Sequence, residues 1–443
     1  MTVANKERVK KAMKSVGINT MTELANEVGI TKNQLSLILS DRYNPIKSTF
    51  FELSEVLRVT PDKIIDFQEK NKKKSKKITK TSKYSAIELF AGGGGLALGL
   101  EQAGIETILH VDNDKYCCDT LSENRPNWNV ICSDVSKVDF KPYKGKINIV
   151  TGGFPCQAFS YAGKKLGFED TRGTLFYEFA RCVKETEPII FVAENVRGLI
   201  SHDNGRTLKT IIDIFESLGY NIQTKLLNAV NYNVPQKRER IVIVGTKKGT
   251  NIKFEYPKES KKIKTLRDAL KNVPKSEGQA YSVAKKAVFK LVPPGGCWRD
   301  LPLNVQKSYM GKSFTSGGGR TGMARRISWD EPCLTLTCSP SQKQTDRCHP
   351  DEVRPFTVRE YARIQTFPDD WEFTGGIGQK YKQIGNAVPV ELARQIGVQI
   401  TKAIDTYTKW SYNCSDSSWI TSFIKSVLST SSATETKESI SSL

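Results

Sequence analysis

The segment Ser85–Leu100 reads "SAIELFAGGGGLALGL": an apolar run suited to a strand, four consecutive glycines, then an apolar run suited to a helix. Gly92, Gly94 and Ala97 occupy the G-x-G-x-x-A positions of a turn that lets backbone approach a ligand between strand and helix. Roughly twenty residues further on, "LHVDNDKY" brings Asp112 to the end of a second apolar run, where a carboxylate can take two ribose hydroxyls. Phe90 closes the first strand in position to lie against an adenine ring. Asp134, in "ICSDVSKV", closes a third, where it can accept from an exocyclic amine. No Gly-Lys-Ser/Thr follows the glycines, which excludes a Walker-type phosphate loop. An adenosine-bearing cofactor is expected, and these residues leave open whether it is a nicotinamide dinucleotide or S-adenosylmethionine.

The alternation continues beyond the glycines. Strand-type runs at Ile87–Phe90, Thr107–Val111, Ile147–Val150, Ile189–Val192 and Ile241–Val244 are separated by helical stretches. They predict an α/β fold with a doubly wound, mostly parallel sheet over residues 84–249. From 250 to 322 Lys, Gly and Pro interrupt the apolar pattern, so a smaller domain outside the sheet is expected there. Order returns near "RRISWDEPCLTLTC", and residues 323–405 are expected to complete that domain and rejoin the first. Residues 406–443, rich in Ser and Thr, read as a tail.

Ahead of the sheet, Asn71–Lys83 ("NKKKSKKITKTSK") holds seven Lys and almost no apolar side chain, so residues 70–83 read as a linker. Residues 1–69 carry helical-period apolar stretches broken at Gly17, Gly29, Pro45 and Pro61, which predicts an all-α unit of four or five short helices. In "MTELANEVGITKNQLSLILS" (Met21–Ser40), Leu24, Ala25 and Val28 are expected inside, Gly29 and Ile30 at a tight turn, and Leu35 and Ile38 beneath a second helix. Thr31, Lys32, Asn33, Gln34 and Ser36 then face outward, with donors suited to phosphates and base edges. This stretch resembles the helix-turn-helix of the Cro and repressor family, which implies a DNA-binding domain and a homodimer. A helical bundle for protein contacts is the competing reading.

The chain has 443 residues, ten Cys, three His and a formal net charge of +20. That length allows several domains and a large core, and the positive surplus favours a polyanionic partner, nucleic acid ahead of a membrane surface. No signal peptide or membrane-spanning stretch is recognisable, so a soluble, cytoplasmic protein with reduced cysteines is expected. No CxxC pair or HExxH is present, and the spacing of Cys333, Cys338, Cys348 and His349 matches no usual zinc site. No metal is expected.

The strand "INIVTGG" leads into "FPCQAFS", which sets Cys156 on the sheet edge where doubly wound folds bind their ligands. Alone, such a cysteine reads as a small buried apolar residue. Its neighbours argue otherwise. "AENVRGL" brings Glu194 and Asn195 to the same edge, and a carboxyl buried there is expected to keep its proton more tightly. "NVPQKRERIVIVG" adds Arg238 and Arg240, whose forks can hold a phosphate or a carbonyl oxygen. A thiol, a carboxyl and guanidinium groups beside an adenosine cofactor make a nucleophilic site. "SYAGKKLGFEDTRG" reads as a closing loop, with Gly163, Gly167 and Gly173 as hinges and Lys164 and Lys165 near phosphates.

"ELFAGGGGL", "GGFPCQAFS", "AENVRGL", "QKRERIVIVG" and "IGNAVPV" occur in the order found in the DNA (cytosine-5) methyltransferase family, which the chain resembles from Tyr84 to about Ile404. The resemblance implies Cys156 as nucleophile, Glu194 at ring nitrogen 3, and Arg240 with Arg238 holding the base and nearby backbone. It implies S-adenosylmethionine around Phe90, Gly92, Gly94, Gly95, Asp112 and Asp134, with Asn386 closing that wall. Double-stranded DNA with a flipped-out cytosine is the implied substrate, residues 250–322 the implied target-recognition region, and a restriction endonuclease the implied counterpart. Asn113 departs from the large apolar residue usual after the acid of the second strand. The alternatives are a DNA-binding regulator with a secondary or inactive methylase portion, or an RNA cytosine methyltransferase. The intact PCQ, ENV and RxR set argues against the first, and the helix-turn-helix against the second.

Overall fold

In the computed structural model, which describes residues 2–4, 6–39, 53, 55–59, 65–67, 83–155, 175–315 and 322–415, the chain divides into two units, Met1–Thr79 and Lys80–Leu443. The first unit runs from strand β1 (Thr2–Ala4) through helices α1 (Lys6–Ser15), α2 (Met21–Glu27) and α3 (Lys32–Ile38) to strand β2 (Ile65–Phe67). Reciprocal caps start both later helices. The Thr20 hydroxyl accepts the Glu23 amide at 3.1 Å while Glu23 accepts the Thr20 amide at 3.1 Å. Thr31 and Gln34 repeat this at α3, with the Gln34 amide on Thr31 Oγ1 at 3.2 Å and the Thr31 amide on Gln34 Oε1 at 2.8 Å. Between them Gly29 takes a left-handed φ of 74°. Leu24, Ala25, Leu35 and Leu39 are buried with Val9, Met13, Leu53 and Leu57. Thr31, Lys32, Asn33, Gln34 and Ser36 are exposed.

This unit is not purely helical as the sequence suggested, because β1 and β2 pair antiparallel with Val3 opposite Asp66. Strands of three residues carry too little alternation to stand out in a sequence.

The second unit opens with β3 (Ser85–Leu89) and α4 (Gly95–Gln102), followed by β4 (Glu106–Asp112), α5 (Lys115–Asn124), β5 (Val130–Cys132) and β6 (Ile149–Gly152). Then come α6 (Leu175–Thr186), β7 (Ile190–Val196), α7 (Arg206–Ser217), β8 (Tyr220–Asn228) and β9 (Glu239–Lys247). These strands form one seven-stranded sheet in the order β5-β4-β3-β6-β7-β9-β8. Every residue of the interior strand β3 is buried. Pairing is parallel from β5 to β7, whereas β9 is antiparallel to both its neighbours. The sequence did not mark β8, since an edge strand with mostly exposed side chains has no apolar run.

One face of the sheet buries Ile87, Leu89, Val150, Phe191 and Ile241 against Phe176, Phe179 and Phe215 of α6 and α7. The other buries Ala86, Ile149, Val192 and Val242 with Leu96 and Leu100 of α4.

Residues 250–322 contain α8 (Leu266–Leu270), α9 (Val283–Lys290) and α10 (Leu303–Met310). A separate core of Tyr281, Phe289, Val292, Trp298, Met310 and Cys348 holds this part together, so the segment after 322 contributes to it. The chain returns through α11 (Val358–Ile364) and α12 (Ile377–Asn386) to the long α13 (Val390–Ser415). Helices α4 and α13 lie so close that a Cβ on Gly99 would stand 2.4 Å from that of Ala393.

Candidate active site

A cleft of about 730 Å³ opens where β3, β4, β5, β6 and β7 end. Its first wall is the glycine-rich turn. Phe90 takes a φ of 58°, and Gly92 and Gly94 follow at 55° and 89°, so the chain turns sharply out of β3 into α4. Asp112 anchors this turn: its Oδ2 accepts the Gly92 amide at 2.8 Å and its Oδ1 the Asp114 amide at 2.8 Å. Burial pushes its carboxyl above the usual range, against those amides. A carboxylate has about four lone-pair sites, so ribose hydroxyls can still be accepted beside the two amides. Phe90, Gly92, Gly95, Asp112, Asp134 and Asn386 line the cleft. Gly94 does not; it carries the turn against Trp371, where a Cβ would stand 2.6 Å from the indole. Asp134 is exposed and caps the following turn through the Ser136 amide at 3.0 Å.

The opposite wall comes from the return segment. A Cβ on Gly95 would lie 2.1 Å from the Val388 carbonyl oxygen, so this glycine permits the approach of "GNAVP" to the start of α4. Asn386 Oδ1 accepts from Cys338 Sγ at 2.9 Å. Lys382 reaches across to Asp114 at 2.8 Å, and both residues line the cleft.

At the far end stand Gly153, Phe154, Pro155, Glu194, Asn195 and Arg240. Asn195 is buried and donates to the Phe154 carbonyl at 2.8 Å, tying the residue before Pro155 to β7. A Cβ on Gly153 would sit 2.9 Å from Glu194 Oε2. Arg240 Nε meets Glu194 Oε1 at 2.6 Å. A cation therefore faces this carboxyl, which the sequence did not show. Cys156 follows Pro155 in the chain and, with Gly163, Lys164, Lys165, Gly167 and Gly173, lies outside the described residues.

Arg238 departs from expectation. It is 1% exposed, does not line the cleft, and donates to the Leu336 carbonyl at 3.1 Å and the Gly385 carbonyl at 2.9 Å. Burial, then the neighbouring Arg240, pulls its pKa down to about 9. It ties the return segment to the sheet instead of holding a base.

The residues fit a positively charged adenosine cofactor. Beside the anchored glycine turn and Phe90, the cleft is lined by Glu88, a 1% exposed carboxyl with no hydrogen-bond partner for either oxygen among the described residues. Sequence reading missed Glu88, although an acid inside the buried run "SAIELF" is a signal of its own. It also passed over Gly153 and Lys382, whose roles depend on segments far apart in the chain. No group of His, Cys, Asp and Glu suited to a metal occurs among the described residues, and no helix there is long and apolar enough to cross a membrane.

Comparison with known proteins agrees with this geometry. The C-5 cytosine-specific DNA methylase family matches residues 84–402. The Type II methyltransferase M.Eco47II of Escherichia coli is 58% identical over 336 residues, covering 74% of this chain and 81% of the relative. M.Sau96I of Staphylococcus aureus, also a Type II methyltransferase, is 50% identical over 428 residues, covering 91% of this chain and 99% of its own. Among solved structures, a chain encoded within an E. coli prophage superposes with a TM-score of 0.54 at 25% identity, covering 73% of this chain and 99% of that one. The Entamoeba histolytica methyltransferase EhMeth shares the fold, with a TM-score of 0.52 at 15% identity, over 73% of this chain and 98% of its own.

Proposed function

The chain belongs to the C-5 cytosine-specific DNA methylase family, and from that membership we propose how its residues divide the work. It is a DNA (cytosine-5) methyltransferase that uses S-adenosylmethionine. When bound, the cofactor supplies an electrophilic methyl group on a sulfonium. Phe90, Gly92, Gly95, Asp112, Asp134 and Asn386 hold it, with Asp112 accepting from the ribose while it keeps the glycine turn closed.

Carbon 5 of cytosine is too weak a nucleophile to take a methyl group unaided. The Cys156 thiolate adds to carbon 6, and Glu194, held by Arg240, supports the developing charge at nitrogen 3. Carbon 5 becomes enamine-like and would take the methyl group; loss of its proton to water would then expel the thiolate. The base reaches the thiol only when flipped out of the duplex, at a cost of a few kcal/mol. The observation that carries this reading is the Glu194–Arg240 pair beside Gly153, two residues before Pro155. Bisulfite sequencing of plasmid from cells expressing the protein tests it. Retained cytosines in one sequence context are expected, and conversion at every site would overturn the reading.

Residues 250–322 read the target, and a cognate restriction endonuclease is the counterpart that this methylation blocks. The N-terminal unit binds an operator as a homodimer and limits expression of the methylase. Exposure of Lys32, Asn33 and Ser36 on α3 supports this. The match to M.Sau96I covers too much of this chain to fit between Tyr84 and the C-terminus, so that relative shares at least part of this unit.

A further inference from the structure

Three buried polar side chains form a row across the sheet beneath the glycine turn. Glu88 of β3 lies opposite His110 of β4 on one side and Thr151 of β6 on the other. They are 1%, 0% and 0% exposed. Among the described residues, neither oxygen of Glu88, neither ring nitrogen of His110, nor Thr151 Oγ1 has a hydrogen-bond partner. Unpartnered polar atoms at such depth are costly, and five of them in one row call for an account.

Glu88 is among the residues that line the cleft, and His110 Nε2 is 3.9 Å from its Oε2. That is too long for a hydrogen bond, so the Glu88 carboxyl must turn toward the ring to make one. A neutral carboxylic acid has one proton to give, and a neutral imidazole one lone pair to receive it. Trp128 stacks on the His110 ring at 4.3 Å and 15°, which fixes its plane.

We propose that Glu88 and His110 share a proton while the cleft is empty, and that the pair releases it to solvent as S-adenosylmethionine binds. Glu88 then meets the positive charge of the cofactor as a carboxylate, and His110 is the positioning residue behind it. The inference rests on the reading of the cleft as the cofactor site. The step balances: the Glu88 O–H bond breaks, the proton goes to buffer, and the carboxylate's charge is met by the cofactor's cationic group.

The surroundings agree. Burial holds Glu88 well above the usual carboxylate range and pulls His110 down to about 3, so in each case it favours the uncharged form. From β4, Asp112 also disfavours a charge on Glu88. From α4, the Ala97 amide faces the carboxyl without reaching hydrogen-bond geometry, and from β6 comes the uncharged Thr151. No Lys or Arg among the described residues forms an ion pair with Glu88; its ionic neighbour is His110. The sign follows. A ligand that favours the carboxylate lowers the pKa of Glu88 in the complex, so binding releases a proton, and affinity rises with pH until the empty protein has itself lost that proton.

The test is calorimetric titration of the full-length, DNA-free protein with S-adenosylmethionine, in phosphate and in Tris, from about pH 5 to about pH 9. The dependence of binding heat on the buffer's ionisation enthalpy counts the protons released. Close to one proton is expected where the empty protein still holds it, with affinity rising up to about tenfold per pH unit there. Glu88→Gln should bind the cofactor with no proton released and a flat pH profile. His110→Phe keeps a ring against Trp128 but removes the acceptor, so the window of proton release should move to lower pH; a purely structural His110 would leave it in place. Binding by the unmodified protein without proton release at any pH overturns the proposal, and needs no variant to fold. Release that persists in Glu88→Gln overturns it too, by assigning the proton elsewhere. Absence of binding heat would strike the cofactor reading of the cleft as well, which separates the two failures.

Discussion

Arg240 Nε stands 2.6 Å from Glu194 Oε1, with 12% and 16% of the two side chains exposed, although the residues are offset along their strands. Arg240 is opposite Val196, and Glu194 opposite Val242. The pair crosses that offset diagonally and fixes the carboxylate beside Gly153. Glu194→Gln is therefore expected to slow methyl transfer by about 10²–10⁴-fold, with cofactor affinity nearly unchanged. Arg240→Ala should also lower the rate, and the double variant should be little worse than the worse single one, because the two act as a unit. Rates of tritiated-methyl incorporation check this; losses that simply multiply would separate the two roles.

Gly153→Ala tests the position of the same carboxylate without touching its charge. The added Cβ would lie 2.9 Å from Glu194 Oε2, and Arg240 prevents the carboxylate from moving freely away. A fall in kcat of about tenfold or more, with the melting temperature shifted by only a few degrees, is expected. A normal kcat would show that Glu194 need not be held this closely.

Asp112→Ala removes the anchor of the Gly92 amide together with the acceptor for the ribose. Charge-assisted hydrogen bonds of this kind are worth about 1.5–3 kcal/mol, so cofactor affinity should fall by about ten- to a hundredfold. The rate at saturating cofactor should change much less. Calorimetry decides, and an unchanged Kd would mean that the crevice is misplaced.

Cys156→Ser should abolish methyl transfer, since a hydroxyl is far harder to ionise than a thiol and leaves less readily. The circular dichroism spectrum should be unchanged. With the unaltered enzyme, DNA carrying 5-fluorocytosine in the target should give a complex that survives denaturation, because fluorine cannot leave as the proton does. An active enzyme that traps nothing would rule out the covalent step.

In the N-terminal unit, Asn33→Ala and Ser36→Ala together should erase an operator footprint while methylation in vitro stays near normal. Gln34→Ala differs: Gln34 Oε1 caps α3 through Thr31, so its loss should also destabilise the unit by about 1 kcal/mol. Footprinting upstream of the gene and thermal melts of the full chain distinguish these effects. Loss of methylation in the double variant would refute a separate regulatory role.

Local sequence was enough for the sheet and the glycine-rich turn, because both rest on short-range physics. Alternation of apolar runs marks strands and helices, and consecutive glycines followed by an apolar helix leave few alternatives at Gly92–Gly95. The motif order from "ELFAGGGGL" to "IGNAVPV" likewise pointed to the chemistry before any contact was known. Edge strand β8 and the ladder between β1 and β2 escaped notice, one for lack of an apolar run and the other for its brevity.

Tertiary structure alone separated residues that look equivalent in the chain. Arg238 and Arg240 are two positions apart in "KRER", yet one is sealed beneath the Leu336 and Gly385 carbonyls while the other faces the cleft. That difference comes from a return segment about a hundred residues away, which no local pattern can report. Glu88 and His110 became neighbours through the parallel register of β3 and β4, and Glu194 met Arg240 through the antiparallel register of β7 and β9. Residue type and spacing state what each side chain can do; register and long-range packing decide which of them share a low-dielectric site, where the interaction counts.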